Sequence, residues 1–164
     1  MAFFGTTCSE PPRNDNKFGL RDDAGPTKAY STVTDPDKWV ATVVNADKGD
    51  VVFTAIDYCL KFIKPGTTHD KESTCEGMLT KRDKLHLVEL KERRSEDHAL
   101  EEGIAQLVNT IKLLKAHESI DSYIDRKAHV CNRLHPAATI VTATNRKFLK
   151  DTGFRLGVRA TVTI

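Results

Sequence analysis

Apolar and polar positions alternate most regularly in two places, and both predict strands. Thr74 to Thr80 and Leu85 to Lys91 are short runs joined by the polar turn Lys81-Arg82-Asp83-Lys84, the pattern of a β-hairpin. In the first run Glu76, Met78 and Thr80 share one face, and Cys75, Gly77 and Leu79 the other. In the second, Glu89 and Lys91 share a face while Val88 and Leu90 turn away from it. This second run is apolar until its far end. An acid and a lysine that close a buried strand must be paired, neutralised or used, because unpaired buried charge is costly. The other alternating stretch is Phe154, Leu156, Val158, Ala160, Val162 and Ile164 against Arg155, Arg159, Thr161 and Thr163. It predicts one half-buried strand over 154–164.

Spacings of three and four predict two longer helices. Val51, Val52, Ala55, Ile56, Cys59, Leu60 and Ile63 make one stripe over 47–64, stopped by Pro65-Gly66, with Asp57 on its solvent side. Ser95 suits an N-cap, with Glu96 and Asp97 in the first turn. Leu100, Ile104, Leu107, Ile111 and Leu114 then carry a helix to about His117. One flank of that helix is Ala99, Gly103, Gln106 and Thr110. Three of these are small and allow close approach to a sheet; Gln106 is an uncharged hydrogen-bonding group. Residues 39–44 read as a short strand or the approach to a helix; further short strands are predicted over 128–132 and 138–143, and a short helix over 145–151. Residues 1–38, with four prolines and no sustained period, read as a loop-rich or partly disordered N-terminal arm ahead of a domain over 39–164. This order predicts a single-domain α/β fold, a mixed central β-sheet flanked by helices.

Composition narrows the function. A formal net charge of +2 on 164 residues sets up no global field for a nucleic acid or a membrane, so any basic patch must be local. Four scattered cysteines without a C-x-x-C pair predict reduced thiols. No apolar window approaches a membrane span and no leader pattern opens the sequence, so a cytoplasmic location and no membrane partner are expected. The histidines have no local ligand spacing, which disfavours zinc. P-loop, dinucleotide-binding and serine-elbow patterns are absent from the sequence.

The hairpin offers its own chemistry. Glu76 and Glu89 on adjacent strands bring two carboxylates to one sheet edge. Oxygen ligands with open water positions suit Mg²⁺ or Mn²⁺ and a substrate phosphate. A lysine beside them can orient or deprotonate an attacking water. Glu76, twelve residues, then Glu89-Leu90-Lys91 on an apolar strand resembles the D-x(n)-(D/E)-x-K signature of the PD-(D/E)xK nuclease superfamily. The element order from about 50 to 132 is similar to that family's, and Gln106 matches a glutamine some branches carry on the following helix. Cys75 stands where the name-giving pattern has proline, Glu76 where it has aspartate, and 47–64 supplies no glutamate.

The resemblance implies a restriction-endonuclease-like fold with Mg²⁺ or Mn²⁺ held by Glu76, Glu89 and the Leu90 carbonyl. Lys91 would act on water and Gln106 would support the site. The expected function is a divalent-metal-dependent nuclease, with DNA ahead of RNA as substrate. Lys81, Arg82, Lys84, Arg93 and Arg94 are candidate contacts to the phosphate backbone. The alternative is a non-catalytic binding, immunity or accessory protein on the same scaffold, with room for a homodimer or a protein partner.

Overall fold

Tyr30–Thr32, Ala41–Val44, Val52–Ala55 and Thr161–Thr163 are rich in β-branched and aromatic side chains, which fit a pleated, half-buried surface. The computed structural model describes residues 2–92, 96–134 and 141–164, with the backbone alone at 96 and 97. The first strands are β1 (Lys17–Arg21), β2 (Tyr30–Thr32), β3 (Ala41–Val44), β4 (Val52–Ala55), β5 (Gly77–Lys81) and β6 (Lys84–Lys91). Helix α1 (Glu96–His117), β7 (Asp125–Asn132), α2 (Thr142–Thr152), β8 (Arg155–Gly157) and β9 (Thr161–Thr163) follow.

Two mixed sheets result, ordered β2-β1-β3-β9 and β4-β5-β6-β7-β8. In the larger one β4, β5 and β6 are antiparallel, whereas β6, β7 and β8 run parallel, with α1 making the crossing from β6 to β7. Leu85 and Leu87 of β6 and Ala128 and Val130 of β7 pack with Leu107, Ile111 and Leu114 of α1 and Phe148 of α2. On the opposite face Val88, Leu90 and Cys131 meet Phe18, Leu20, Val43 and Val162 of the smaller sheet. The larger sheet is therefore covered on both sides, which explains why β6 is apolar on both its faces.

The fold is mixed α/β, and four expectations change. The helix expected over 47–64 is instead strand β4 followed by a turn. The run Val51-Val52-Phe53-Thr54 is β-branched and aromatic, and Val51, Phe53 and Ala55 alternate into the inter-sheet core. Phe53, the largest apolar side chain there, lies off the supposed helical stripe. The single strand expected over 154–164 breaks in two. Phe154, Leu156 and Val158 face the helical layer, then the chain crosses so that Val162 and Ile164 enter the core between the sheets. The alternation is real, but it serves two sheets. The first 38 residues are largely irregular yet integrated, since they supply β1 and β2, and Phe3, Phe18 and Leu20 are almost completely buried. Finally, Cys8 and Cys59 form a disulfide, against the expectation of reduced thiols, while Cys75 and Cys131 are free and buried.

Other expectations meet their elements. The hairpin is β5–β6, the helix of the small flank is α1, and the strand at 128–132 is the second half of β7. The short helix is α2, which starts at Thr142, so the strand expected over 138–143 is not formed at 141–143, and 138–140 lie outside the described residues. The N-cap expected at Ser95 also lies outside them. No helix among the described residues is long and apolar enough to cross a membrane.

Two buried histidines sit on the inter-sheet side of β6 and β7. His86 Nε2 lies 3.2 Å from Asp125 Oδ2, and its ring centroid is 5.4 Å from that of His129. Burial pushes His86 down to about 4, with Asp125 opposing, and His129 down to about 3, helped by the charge of His86 and Lys127.

Candidate metal centre

The register of the hairpin places the two glutamates. Gly77, the first residue of β5, pairs with Val88, so Glu76 and Glu89 flank the last pair of the ladder, close enough that the charge of Glu89 acts on Glu76. Glu89, in alternation with Leu85 and Leu87, lies on the face of β6 covered by α1. Glu89 is completely buried and Glu76 nearly so. Gly103 of α1 makes this close approach possible: a Cβ there would sit 3.0 Å from Val130 and 3.4 Å from Glu89 Cγ. The small flank of α1 thus forms the wall over Glu89.

Lys91 is the cation of the site. Its Nζ donates to Gln106 Oε1 at 2.7 Å and lies 2.9 Å from Glu89 Oε1, with Glu102 Oε2 at 3.7 Å. The Glu89 contact is an ion pair without hydrogen-bond alignment, and Glu76 Oε2 has no hydrogen-bond partner in the protein. Gln106 donates in turn to the Thr74 carbonyl at 3.3 Å, two residues before Glu76. The glutamine therefore ties both arms of the hairpin together. A groove of about 360 Å³ lined by Ser73, Lys91, Glu102, Ala105 and Gln106 opens beside the lysine. Leu90, between the acid and the lysine, turns its side chain into the inter-sheet core.

Burial and mutual repulsion keep protons on these acids. Burial, then the charge of Glu89, pushes Glu76 up to about 9. Burial pushes Glu89 up to about 7 against the pull of Lys91 and of the Glu76 N–H. Two acids outside the signature take part. Asp57 follows β4, and the neighbouring Ile56 N–H donates to the Glu76 carbonyl at 2.9 Å. Its charge raises both glutamates, and that of Asp22, just after β1, raises Glu76. Asp57 and Asp22 are themselves raised, chiefly by burial. Reading 51–55 as a strand would have found Asp57, because it falls at the strand end beside Glu76. A helical reading turned it toward solvent.

A hard divalent cation would find two carboxylates whose charge burial suppresses, with Glu76 Oε2 and both Glu89 oxygens lacking an aligned hydrogen-bond donor. Among the described residues no group of three or more His, Cys, Asp or Glu is arranged to hold a metal ion. A third ligand would have to be a main-chain carbonyl such as that of Leu90, or water.

The basic turn does not belong to this site. Lys81 is buried and donates to Asn45 Oδ1 at 2.7 Å and the Ile164 carbonyl at 3.1 Å, with Asp47 also bound. Its ammonium locks the loop after β3 to the end of the chain, so it is not a phosphate contact. Arg82 pairs with Asp47 at 3.1 Å, and Lys84 opens β6. Arg82 and Lys84 stand at the opposite end of the hairpin from Glu89 and Lys91, with Lys84 about 17 Å along the strand from Glu89 and about 23 Å from Lys91. Arg93 and Arg94 lie outside the described residues.

The site's titration has a consequence for stability. Glu76 and Glu89 have folded values above the ordinary 4.5, so they stabilise fully below it and lose that contribution as pH rises through about 7 and 9. His86 and His129 have the opposite sign, contributing above 6.5 and losing it as pH falls through about 4 and 3. The two pairs oppose one another between 4.5 and 6.5. The metal-free protein is therefore expected to be most stable in that interval, measured as the urea midpoint across pH. A midpoint that climbs steadily from pH 6 to 9 would contradict this.

Glu89→Gln isolates the acid's share. The amide keeps the shape without the buried charge. At pH 8 it should raise the stability of the metal-free protein by about 3 kcal/mol, the free-energy equivalent of its displacement to about 7. At pH 5 the difference should nearly vanish. Equal stabilities at pH 8 would mean that Lys91 already compensates the carboxylate in full.

No family model, curated protein or solved structure matches the chain.

Proposed function

We propose that the protein is a divalent-metal-dependent nuclease on a restriction-endonuclease-like core, hydrolysing phosphodiester bonds of DNA ahead of RNA. The observation that carries this reading is the pair Glu76 and Glu89, brought together at one end of the β5–β6 hairpin and buried at high cost, with Lys91 held beside Glu89 by Gln106. Carboxylates kept in a place that penalises their charge are what a functional site retains and a purely structural one discards. The β5–β6 hairpin and the α1 crossing to parallel β7 keep the later part of the order the resemblance implies, whereas strand β4 stands where that order has its first helix.

In this reading Glu76, Glu89 and the Leu90 carbonyl hold Mg²⁺ or Mn²⁺, which supplies Lewis acidity and a bound water of lowered pKa. Lys91 orients the attacking water and offsets charge on the phosphate oxygens from the wall of the groove. Gln106 fixes the lysine's position. Asp57 and Asp22 keep the surroundings negative, which favours the cation before any substrate arrives.

One observation favours a second reading, a non-catalytic binding or accessory protein on this scaffold. Lys81 is consumed internally and Arg82 pairs with Asp47 at the far end of the hairpin, so neither would hold a phosphate backbone at the glutamates. Calorimetric titration with Mn²⁺, followed by incubation with supercoiled plasmid and with RNA, separates the two. Saturable binding together with cleavage supports the nuclease. Binding without cleavage of either substrate leaves the second reading, and a flat titration removes the metal centre altogether.

A further inference from the structure

Glu76 lies outside regular secondary structure, immediately before β5. A carboxylate on an irregular segment can serve a site only if something fixes its main chain. Three side chains on one stretch of α1, at 106, 109 and 110, do this. Asn109 Nδ2 donates to the Ser73 carbonyl at 2.8 Å and to Glu72 Oε2 at 3.1 Å. Gln106 Nε2 donates to the Thr74 carbonyl. The Cys75 N–H donates to Thr110 Oγ1 at 2.8 Å. The Thr110 hydroxyl is fully buried, and its own proton goes to the Gln106 carbonyl at 2.8 Å, one turn back. Its lone pairs are thereby committed to the Cys75 amide. On the far side, the Ile56 N–H holds the Glu76 carbonyl at 2.9 Å. The peptide is thus fixed on both sides of Glu76, while Oε2 of its side chain is left without a partner.

We infer that Thr110 and Asn109 are positioning residues for the metal centre, clamping residues 73–75 to α1 so that Glu76 faces Glu89 with an oxygen free for a cation. The inference rests on the metal-centre reading above and adds to it a device that no part of the hairpin signature contains. Through Gln106, the same helical turn sets Lys91 and Glu76 in one frame, so a shift of the 73–75 segment alters the separation of acid from lysine.

The test uses the full chain with Thr110→Val, which keeps the shape and removes the acceptor, and Thr110→Ser, which restores it. Two quantities are read, the Mn²⁺ dissociation constant by calorimetry and the ¹³C shift of the Glu76 side-chain carboxyl. Thr110→Val should weaken Mn²⁺ binding by about tenfold or more, the effect of losing a group that orients a ligand, and should move the Glu76 signal. Thr110→Ser should return both toward wild type. Binding in Thr110→Val equal to wild type overturns the inference, and so does a serine variant as impaired as the valine one. Should wild type bind no Mn²⁺, the metal reading fails, and the carboxyl signal alone then decides whether Thr110 positions Glu76. Should Thr110→Val not fold, Asn109→Ala at a partly exposed position makes the same comparison: weaker binding supports the clamp, and unchanged binding overturns it.

Discussion

Glu89→Ala and Lys91→Ala are each expected to abolish phosphodiester cleavage while the protein remains folded. The two losses have different origins. Glu89→Ala removes one of two carboxylates from a centre in which no third acidic or histidine ligand is within reach among the described residues, so metal binding should collapse with activity. On the nuclease reading, Lys91→Ala removes the group that would act on the attacking water, a contribution on the order of 10²–10⁴ in rate. It has a second effect, because the ammonium 2.9 Å from Glu89 Oε1 opposes the rise of that carboxyl toward about 7. Without the lysine, Glu89 holds its proton to higher pH, and cation binding must displace it. Lys91→Ala should therefore weaken Mn²⁺ binding most at neutral pH and less at pH 9. Cleavage by Glu89→Ala within tenfold of wild type would remove Glu89 from the mechanism.

What could be read in the chain beforehand was whatever depends on short-range periodicity within one element. The β5–β6 hairpin and α1 fall in this class, since each buries a face whose period is set by its own geometry. The small flank of α1 was also legible, because Gly103 has no other reason to interrupt a long amphipathic helix. The losses came where two elements share one pattern. Val51 to Ile63 satisfies a helical stripe only if Phe53 is ignored, and the true arrangement needs the second sheet as a partner for Val51, Phe53 and Ala55. That second sheet draws on β1, β3 and β9, strands far apart in sequence, so no local period reveals it. The same mistake hid Asp57. Lys81 shows the other limit: a lysine in a turn reads as solvated, yet three acceptors brought from 45, 47 and 164 bury it. Composition alone could not pair Cys8 with Cys59, since the pairing depends on the first residues lying along β4.

That pairing carries the largest stability effect expected outside the site. Cys8 and Cys59 are 51 residues apart, and closing a loop of that length restricts the unfolded chain by about 4 kcal/mol on the chain-entropy account. Reduction with dithiothreitol should therefore lower the melting temperature by roughly 8–16 °C for a chain of this size. The native state should survive, because the segment around Cys8 has other anchors. The Ala55 N–H donates to the Cys8 carbonyl at 3.0 Å, the Glu10 N–H to the Phe53 carbonyl at 2.8 Å, and Phe3 is buried against Phe62 with ring centroids 4.8 Å apart. The loss should thus appear in global unfolding, with little local opening at β4. A Cys8→Ser/Cys59→Ser double variant should melt where reduced wild type does and be indifferent to dithiothreitol. A wild-type melting temperature that does not move on reduction would show that the bridge contributes nothing in solution. The site offers a finer check, because Cys59 ends the turn that carries Asp57, while Glu76 is held by the Ile56 N–H whether or not the bridge is closed. Reduced protein should therefore keep its Mn²⁺ affinity well below its melting temperature, which separates a stabilising bridge from one on which the metal centre depends.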